Sequence, residues 1–162
     1  MRRSGGTRNG RKSQAFGHIG QDATRYTLQA LGAKCIEEVA TPVIIRRYGN
    51  FNVVAAYRQK VSCDFYCILP TPTAKIPMYW QAARVEVKLH DGDKLTYSRL
   101  AAHQIADLLD WKLCGRGNTT ALVAWVRHGE VAIFHFPVQG WGPGEPLAWE
   151  RAKALAINKQ NS

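Results

Sequence analysis

The stretch that decides the fold is Val85-Glu86-Val87-Lys88-Leu89. Its apolar and charged residues alternate, which is typical of a β-strand because successive side chains point to opposite faces. The apolar residues therefore share one face, and Glu86 and Lys88 point together from the other. We predict that this strand extends over 79–89.

A second alternating stretch, 61–69, places Ser62 and Asp64 together on its polar face. If the two strands are neighbours in one sheet, Asp64, Glu86 and Lys88 converge on a single surface. Two hard carboxylates can hold Mg²⁺, and the ammonium group can lie beside a phosphate that the metal binds. The alternative is a pair of ordinary strands with one charged face in solvent.

Composition indicates a single domain with a polyanionic partner. A chain of 162 residues is long enough to build one core, and its net charge of +10 favours nucleic acid. The alternative is that the charge only aids solubility. The chain lacks both an apolar run of membrane-spanning length and the apolar stretch of a signal peptide. These features predict a cytoplasmic protein with no membrane partner.

The four cysteines do not form a metal-binding or disulfide pattern. No Cys-x-x-Cys pair is present, and no His follows a Cys pair at zinc-finger spacing. Cys63 and Cys67 lie on the apolar face of the strand over 61–69, which predicts buried free thiols. Disulfides are not expected in a cytoplasmic protein.

Residues 1–14 are predicted to form a flexible basic arm, because the segment is too polar to bury its own surface. The arm can become ordered on phosphates. A helix follows over 16–33, with Gly32 as its terminator. Asp22 near its start either complements the helix dipole or is an accessory acid near the metal. The apolar stripe of this helix is predicted to consist of Ile19, Ala23, Tyr26, Leu28, Ala30 and Leu31.

Residues 41–60 predict a β-hairpin with a basic end. The stretch 41–48 is β-branched and aromatic, Gly49-Asn50 is a turn signal, and 51–57 resumes the pattern. If the hairpin projects from the domain, its charges can enter a nucleic-acid structure; otherwise they keep an edge hairpin soluble. With the arm, the predicted DNA-binding residues are Arg2, Arg3, Arg8, Arg11, Lys12, Arg46, Arg47, Arg58 and Lys60.

The remaining elements are a loop, a helix, two strands and a closing helix. Prolines predict a loop over 70–77, and Ser98 is the predicted N-cap of a helix that ends near Leu113. Gln104 interrupts the apolar stripe of that helix and needs a partner such as a metal-bound water, a ligand or a phosphate. The strands are predicted at 120–126 and 131–136, and the closing helix at 147–156. No glycine-rich phosphate loop is present, so no nucleotide cofactor is expected.

The order helix, Asp strand, Glu-x-Lys strand, helix, strand resembles the PD-(D/E)xK nucleases, here as Asp64…Glu86-Val87-Lys88. The chain is most similar to one branch, the RecU-type Holliday junction resolvases. The hairpin over 41–57 resembles the stalk of that family, Ser62-x-Asp64 its hydroxyl and metal-binding acid, and His103-Gln104 its His-Gln helix. This chain has Ser62 where the family has Thr, and a longer gap follows Asp64.

The resemblance implies a restriction-endonuclease-like α/β fold, in which helices flank a mixed central sheet and residues 41–60 project as a stalk. One nuclease domain over 15–162 follows the basic arm. The implied activity is Mg²⁺- or Mn²⁺-dependent resolution of four-way DNA junctions by paired nicks in a homodimer. The small size suits a bacteriophage version acting in the host cytoplasm, or else a nucleoid-associated enzyme.

The resemblance also implies roles for individual residues. The metal ligands are Asp64, Glu86, the Val87 carbonyl, Ser62 and Gln104, and the catalytic residues are Asp64, Glu86, Lys88 and Gln104. Two other readings of the sequence stay open. One is another PD-(D/E)xK endonuclease that acts on duplex DNA in restriction or repair. The other is a basic nucleic-acid-binding module without catalysis.

Overall fold

The computed structural model describes residues 8–39, 43–48, 51–57, 63–71 and 79–159. Within these ranges the chain forms both helices and strands. In chain order the elements are α1 (Arg8–Ala30), β1 (Lys34–Glu38), β2 (Val43–Tyr48), β3 (Phe51–Tyr57), β4 (Phe65–Thr71), β5 (Tyr79–Leu89), β6 (Lys94–Leu95), a 3₁₀-helix (Tyr97–Arg99), α2 (Ala102–Cys114), β7 (Thr119–Arg127), β8 (Glu130–His135), β9 (Leu147–Ala148) and α3 (Trp149–Leu155).

Five of the described strands form one mixed sheet in the order β1-β4-β5-β7-β8. Strands β5 and β7 run parallel, and the other neighbouring pairs are antiparallel. Helix α2 lies between β5 and β7 in the chain and makes the crossover that a parallel pair requires. The predicted class, a mixed α/β sheet flanked by helices, is confirmed, and β5 coincides with the predicted strand over 79–89.

Each face of this sheet carries its own hydrophobic core. Strand β7 is buried from Thr120 to Val126, because helices cover both of its faces. Leu122 and Ala124 pack in the core that contains residues of α1. Val123 and Trp125 pack in the opposite core, with residues of α2 and α3. A helix layer on each side therefore explains why the predicted strand over 120–126 is apolar throughout.

Helix α1 ends in a Schellman motif at Gly32. The N–H of Ala33 donates to the carbonyl of Leu28 (3.0 Å), and the N–H of Gly32 donates to the carbonyl of Gln29 (2.9 Å). Gly32 has φ +79°, a left-handed conformation that glycine adopts without steric cost. The predicted terminator is thus confirmed.

The start of α1 differs from the prediction. The helix begins at Arg8, so residues 8–14, which we predicted to be part of a flexible arm, are helical, and residues 1–7 lie outside the described residues. Residues 11–15 are good helix formers, and extending an existing helix costs much less than starting one. A prediction from composition alone leaves out the stabilisation that residues 8–14 gain by extending the rest of α1.

The buried face of α1 also differs from the predicted stripe. Gly20, Thr24 and Leu28 are buried, whereas Ile19 and Tyr26 are 56% and 70% exposed. Small residues face the sheet because α1 approaches β5 closely, and the Thr24 hydroxyl satisfies its hydrogen-bonding requirement by donating to the Gly20 carbonyl (2.8 Å). Close packing rather than hydrophobicity alone therefore selects the inner face.

Strands β2 and β3 pair antiparallel as a two-stranded sheet of their own, from Val43 opposite Tyr57 to Tyr48 opposite Phe51. The two strands of the predicted hairpin are confirmed. The turn residues 49–50, and Arg58 and Lys60 beyond β3, lie outside the described residues. Projection of this hairpin from the domain stays a prediction.

Strand β4 corrects the predicted loop over 70–77, because it continues through Pro70 to Thr71. Pro70 is opposite Trp80 of β5, whereas pairing with β1 on the other side extends only to Ile68. The missing N–H of the proline therefore faces no strand on that side and removes no ladder hydrogen bond. Residues 72–78 lie outside the described residues.

The start of α2 is also corrected, since Ser98 belongs to the 3₁₀-helix and α2 begins at Ala102. The Ser98 hydroxyl donates to Thr96 Oγ1 (3.3 Å), and no described hydrogen bond has it accepting a helix N–H. Oε1 of Gln104 instead accepts the N–H of Ala101 (3.0 Å), and so satisfies one unpaired donor of the first turn. A side chain within the helix has taken over the capping role.

The C-terminal elements follow the predictions more closely. Strands β7 and β8 meet at a two-residue turn, His128-Gly129, where both residues have positive φ, as a tight hairpin requires. The closing helix is shorter than 147–156, because Leu147 and Ala148 pair with β6 before α3 begins. No described helix is long and apolar enough to cross a bilayer.

The burial predicted for the Cys63 and Cys67 thiols is confirmed. Cys63 and Cys67 are buried, whereas Cys35 and Cys114 are exposed. Burial raises the pKa of the Cys67 thiol to about 12, and the neighbouring Cys63 contributes to this shift. Both buried thiols are therefore small apolar residues of the β4 region rather than reactive groups.

Gly115, directly after α2, gives the first prediction. Its added Cβ would overlap Thr119, coming within 2.5 Å of the Thr119 Cβ, and the Thr119 hydroxyl donates to the last-turn carbonyl of Trp111 (2.7 Å). We expect Gly115→Ala to lower the free energy of unfolding by about 1–3 kcal/mol in urea denaturation. Gly142→Ala is the control, because no atom lies within 4 Å of its added Cβ. Equal losses in the two variants would contradict this packing explanation.

Candidate active site

Asp64 and Glu86 are brought together by the register of β4 and β5. The pairing has no shift from Phe65 opposite Val85 to the far end, and the Asp64 N–H donates to the Val85 carbonyl (3.0 Å). Asp64 lies just beyond the last pair of this ladder, immediately before β4 rather than inside the predicted strand over 61–69. Its carboxylate accepts the N–H of Val87, the residue after Glu86, and its charge acts on the Glu86 carboxyl group, so the two groups are close. The predicted convergence of the two carboxyl groups is what the structure contains.

The Asp64 carboxylate is fixed at the end of the β4–β5 ladder. Oδ2 accepts the backbone N–H of Val87 (2.7 Å), and Oδ1 accepts the side-chain amide of Gln21 from α1 (3.3 Å). Burial raises the pKa of Asp64, while the Val87 hydrogen bond and the charge of Lys88 lower it in part. The N–H and C=O of one strand residue face the same neighbour, so the Val87 carbonyl is also directed to the Asp64 side.

Glu86 is the most buried charged residue among those described, with only 2% of its surface exposed. Oε1 accepts the ammonium of Lys88 (2.6 Å) and the amide of Gln104 (2.5 Å). Burial and then the charge of Asp64 raise the pKa of Glu86 to about 7, against smaller opposing effects of Lys88 and Gln104. Oε2 is buried and has no hydrogen-bond partner among the described residues.

Gln104 joins Glu86 and Lys88 to helix α2. Its Nε2 donates to Glu86, while its Oε1 accepts both the Lys88 ammonium (3.1 Å) and the N–H of Ala101. The sequence predicted a metal-bound water, a ligand or a phosphate as the partner of this amide. In the structure its partners are protein groups, so Gln104 orients the carboxylate and the amine.

Gln21 is a site residue that sequence reasoning missed, because attention fell on the adjacent Asp22. Asp22 is exposed, and none of the described hydrogen bonds or ion pairs links it to Asp64 or Glu86, so its predicted role as an accessory acid is not supported. Gln21 lies three residues before buried Thr24 and seven before buried Leu28, on the inner side of α1. A polar residue at helical spacing from core positions was the available signal.

For the other predicted site residues, the structure describes either only the backbone element to which they belong or nothing at all. Ser62, Arg2, Arg3, Arg58 and Lys60 lie outside the described residues. Three predicted DNA-binding residues, Arg8, Arg11 and Lys12, belong to the first turns of α1. Two more, Arg46 and Arg47, belong to β2.

The donor set at this position suits a small divalent cation. Asp64 and Glu86 supply two carboxyl groups, one with an unpartnered oxygen, and the Val87 carbonyl is directed toward the same side. Mg²⁺ prefers oxygen ligands and commonly takes only one or two protein carboxylates, with water completing its shell. Across the described ranges, no three His, Cys, Asp or Glu side chains come together. The residues present therefore fit a two-carboxylate site.

The raised pKa of Glu86 predicts an unusual pH dependence of stability. An acid whose pKa rises from 4.5 to about 7 on folding binds its proton more tightly in the native state. Its stabilising contribution is present below pH 4.5 and is lost as pH rises through about 7. Without divalent metal, Glu86→Gln should therefore gain stability relative to the wild type between about pH 5 and 8, by about 2–3 kcal/mol.

The measurement is urea denaturation of both proteins across this pH range in chelator. His135, whose pKa is lowered by burial, is present in both proteins, so its contribution cancels in their difference. A difference that stays constant with pH would contradict the assignment of a proton to native Glu86.

Comparisons with known proteins add no family to this description. No protein-family model matches the chain, and no curated protein is significantly similar to it in sequence. The arrangement of Asp64, Glu86, Lys88 and Gln104 around one buried position is consequently the basis for assigning a function.

Proposed function

We propose that this protein is a metal-dependent endodeoxyribonuclease that resolves four-way DNA junctions. The observation that carries the proposal is the closeness of the Asp64 carboxylate to Glu86, whose buried Oε2 has no partner among the described residues while Lys88 and Gln104 hold its other oxygen. An unpartnered buried carboxylate oxygen is costly, and a cation is the partner that removes this cost. The implied cofactor is Mg²⁺ or Mn²⁺.

The arrangement of elements supports the same proposal. The carboxylates come from the start of β4 and the middle of β5, and Gln104 comes from the helix that leads to the parallel strand β7. This order is the one implied by the resemblance to PD-(D/E)xK nucleases of the RecU type. We propose that the mixed sheet is the restriction-endonuclease-like fold and that β2–β3 is its stalk.

In the proposed mechanism, Asp64, Glu86 and the Val87 carbonyl hold the cation, and Ser62 completes the set. When bound, Mg²⁺ supplies Lewis-acid stabilisation of the phosphoryl oxygens and lowers the pKa of a water molecule. Lys88 orients the attacking water and offsets charge on the phosphate. Gln104 keeps the Lys88 ammonium next to Glu86 through its two hydrogen bonds.

The proton on Glu86 couples metal binding to pH. Because the pKa of Glu86 is near 7 without metal, binding a cation displaces a proton from a large fraction of molecules at neutral pH. Metal affinity should accordingly weaken as pH falls below about 7. The buried site is thus suited to chemistry at neutral or mildly alkaline pH.

Selectivity for a junction requires recognition of shape, since a basic surface alone binds any DNA. We propose that β2–β3 fills the branch point while the sites of two subunits address opposite strands. Arg46 and Arg47 in β2, and the arginines and lysine at the start of α1, are the proposed backbone contacts.

The principal test replaces Asp64 and follows cleavage of a labelled four-way junction. We expect Asp64→Asn to bind the junction in chelator but to lose Mg²⁺-dependent cleavage by on the order of 10³-fold or more, since stabilisation of transition-state charge is removed. Asp110→Asn, the same change at an exposed position of α2, should cleave normally. Normal cleavage by Asp64→Asn would exclude this ligand assignment.

Comparing cleavage of the four-way junction with cleavage of other DNA separates the proposed activity from the two alternatives. Equal cleavage of a matched linear duplex would indicate another PD-(D/E)xK endonuclease. Binding without cleavage of any DNA in Mg²⁺ or Mn²⁺ by the wild type would indicate a non-catalytic binding module.

The outer face of α1 supports the proposed homodimer. Ile19, Ala23, Tyr26 and Ala30 recur at spacings of four, three and four residues, which places them on one stripe of the helix. Ile19 and Tyr26 remain largely exposed. We propose that this stripe packs against the same stripe of a second copy, because a twofold axis makes one patch self-complementary.

A charge placed in this stripe should separate the subunits. We expect Tyr26→Glu to shift the protein from dimer to monomer in sedimentation velocity, because two buried carboxylates would face each other across the axis. Gln29→Glu adds the same charge on the flank of α1 and should remain dimeric. A dimer unaffected by Tyr26→Glu would place the interface elsewhere.

A further inference from the structure

Arg84 lies on the same sheet face as the proposed metal site, one step farther along β5. It precedes Glu86 by two residues, so the two side chains point to the same face about 7 Å apart along the strand. Its partner across the β4–β5 ladder is Tyr66, which in turn follows Asp64 by two residues. The Tyr66–Arg84 pair is thus the row next to Asp64–Glu86.

Two aromatic rings hold the Arg84 guanidinium in place. Its central carbon lies 4.4 Å from the ring centroid of Trp111 and 5.1 Å from that of Tyr66. The Trp111 indole is itself anchored by a hydrogen bond to the Ala82 carbonyl (3.3 Å). Stacking engages the faces of a guanidinium and leaves its N–H donors directed outward in the plane.

The charge of Arg84 is not neutralised within the protein. All twelve Asp and Glu residues of the chain fall inside the described ranges, and none of them forms an ion pair with Arg84. Its hydrogen bond to the Asp107 carbonyl is long (3.5 Å), and its buried Nε has no described partner. By contrast, Arg25 and Arg127 both pair with carboxylates.

A half-buried cation with no carboxylate partner, next to the proposed phosphodiester site, is suited to an anionic partner. Arginine forms bidentate hydrogen bonds with phosphate, and its fixed plane here reduces the entropy lost on binding. Successive phosphates of a DNA strand rise only about 3.4 Å along the duplex axis. A DNA strand that followed β5 with one phosphate at Glu86 would carry another past Arg84.

We propose that Arg84 binds a backbone phosphate of the cleaved strand, one or two nucleotides from the bond that is cut. This inference rests on the proposed nuclease function, because it takes the metal site as the position of the scissile phosphate. Arg84 is a positioning residue: it fixes the register of the strand and takes no part in bond making or breaking.

The test measures junction binding in chelator as NaCl is raised from about 50 to 300 mM. Each phosphate contact contributes about 0.9 to the slope of log affinity against log salt. We expect Arg84→Met to bind about 10-fold more weakly at low salt and to lose about one unit of slope. Arg84→Lys should keep the slope and lose only part of the affinity, since it retains the charge without the planar fork.

Arg127→Met is the matched control. Arg127 also stacks on a tryptophan, Trp149, but pairs with the carboxylate of Asp93, so its loss should leave the salt slope unchanged. In Mg²⁺, Arg84→Met should raise KM for cleavage about 10-fold with little change in kcat. Thermal melting shows whether each variant is folded, and Arg84→Lys provides the comparison if Arg84→Met is not.

The outcomes separate this inference from the function on which it rests. A folded Arg84→Met with lower stability, an unchanged salt slope and an unchanged KM would show that the stack is only structural and would overturn the inference, while the nuclease proposal stands. A wild-type protein that binds no DNA at any salt would overturn both. A lower slope without Mg²⁺-dependent cleavage would keep the phosphate contact and remove the nuclease.

Discussion

The buried carboxylate of Glu86 is the constraint on which the rest of the structure depends. A charged group in a protein interior is tolerated only where partners surround it, and here the partners come from three separate elements: Lys88 on β5, Gln104 on α2 and the facing Asp64 before β4. These contacts form only when β4, β5 and α2 are in their native positions. The Asp64 carboxylate also needs α1 in place, because Gln21 of that helix donates to it.

The same constraint gives the site its asymmetry. One oxygen of Glu86 is held by two donors, whereas the other has no described partner, and one oxygen of Asp64 substitutes for a missing strand partner of Val87. Under the proposed function, these fixed donors would set where a bound cation can lie. The proposed phosphate contact at Arg84 lies farther along β5, and the pairing of Arg84 with Tyr66 in the β4–β5 ladder fixes its position relative to Glu86.

Part of the fold and of the candidate site could be predicted from the alternation of apolar and charged residues alone. The strand over 79–89 and the shared face of Glu86 and Lys88 follow from a period of two residues, which the sheet preserves. The inner face of α1, the start of that helix and the strand position of Pro70 could not be predicted in this way. Each depends on a neighbouring element: close approach to β5, extension of an existing helix, and the end of pairing with β1.

The parallel pairing of β5 with β7 has a consequence for the order in which the molecule assembles. Strands β4 and β5 are consecutive in the chain and can zip together early, whereas β7 joins β5 only after the whole of α2 has crossed over, and such distant closure is slow. We therefore expect the Asp64 and Glu86 segments to meet before β7 closes the other edge of β5. A half-formed chain would then still lack β7, whose side chains belong to both hydrophobic cores.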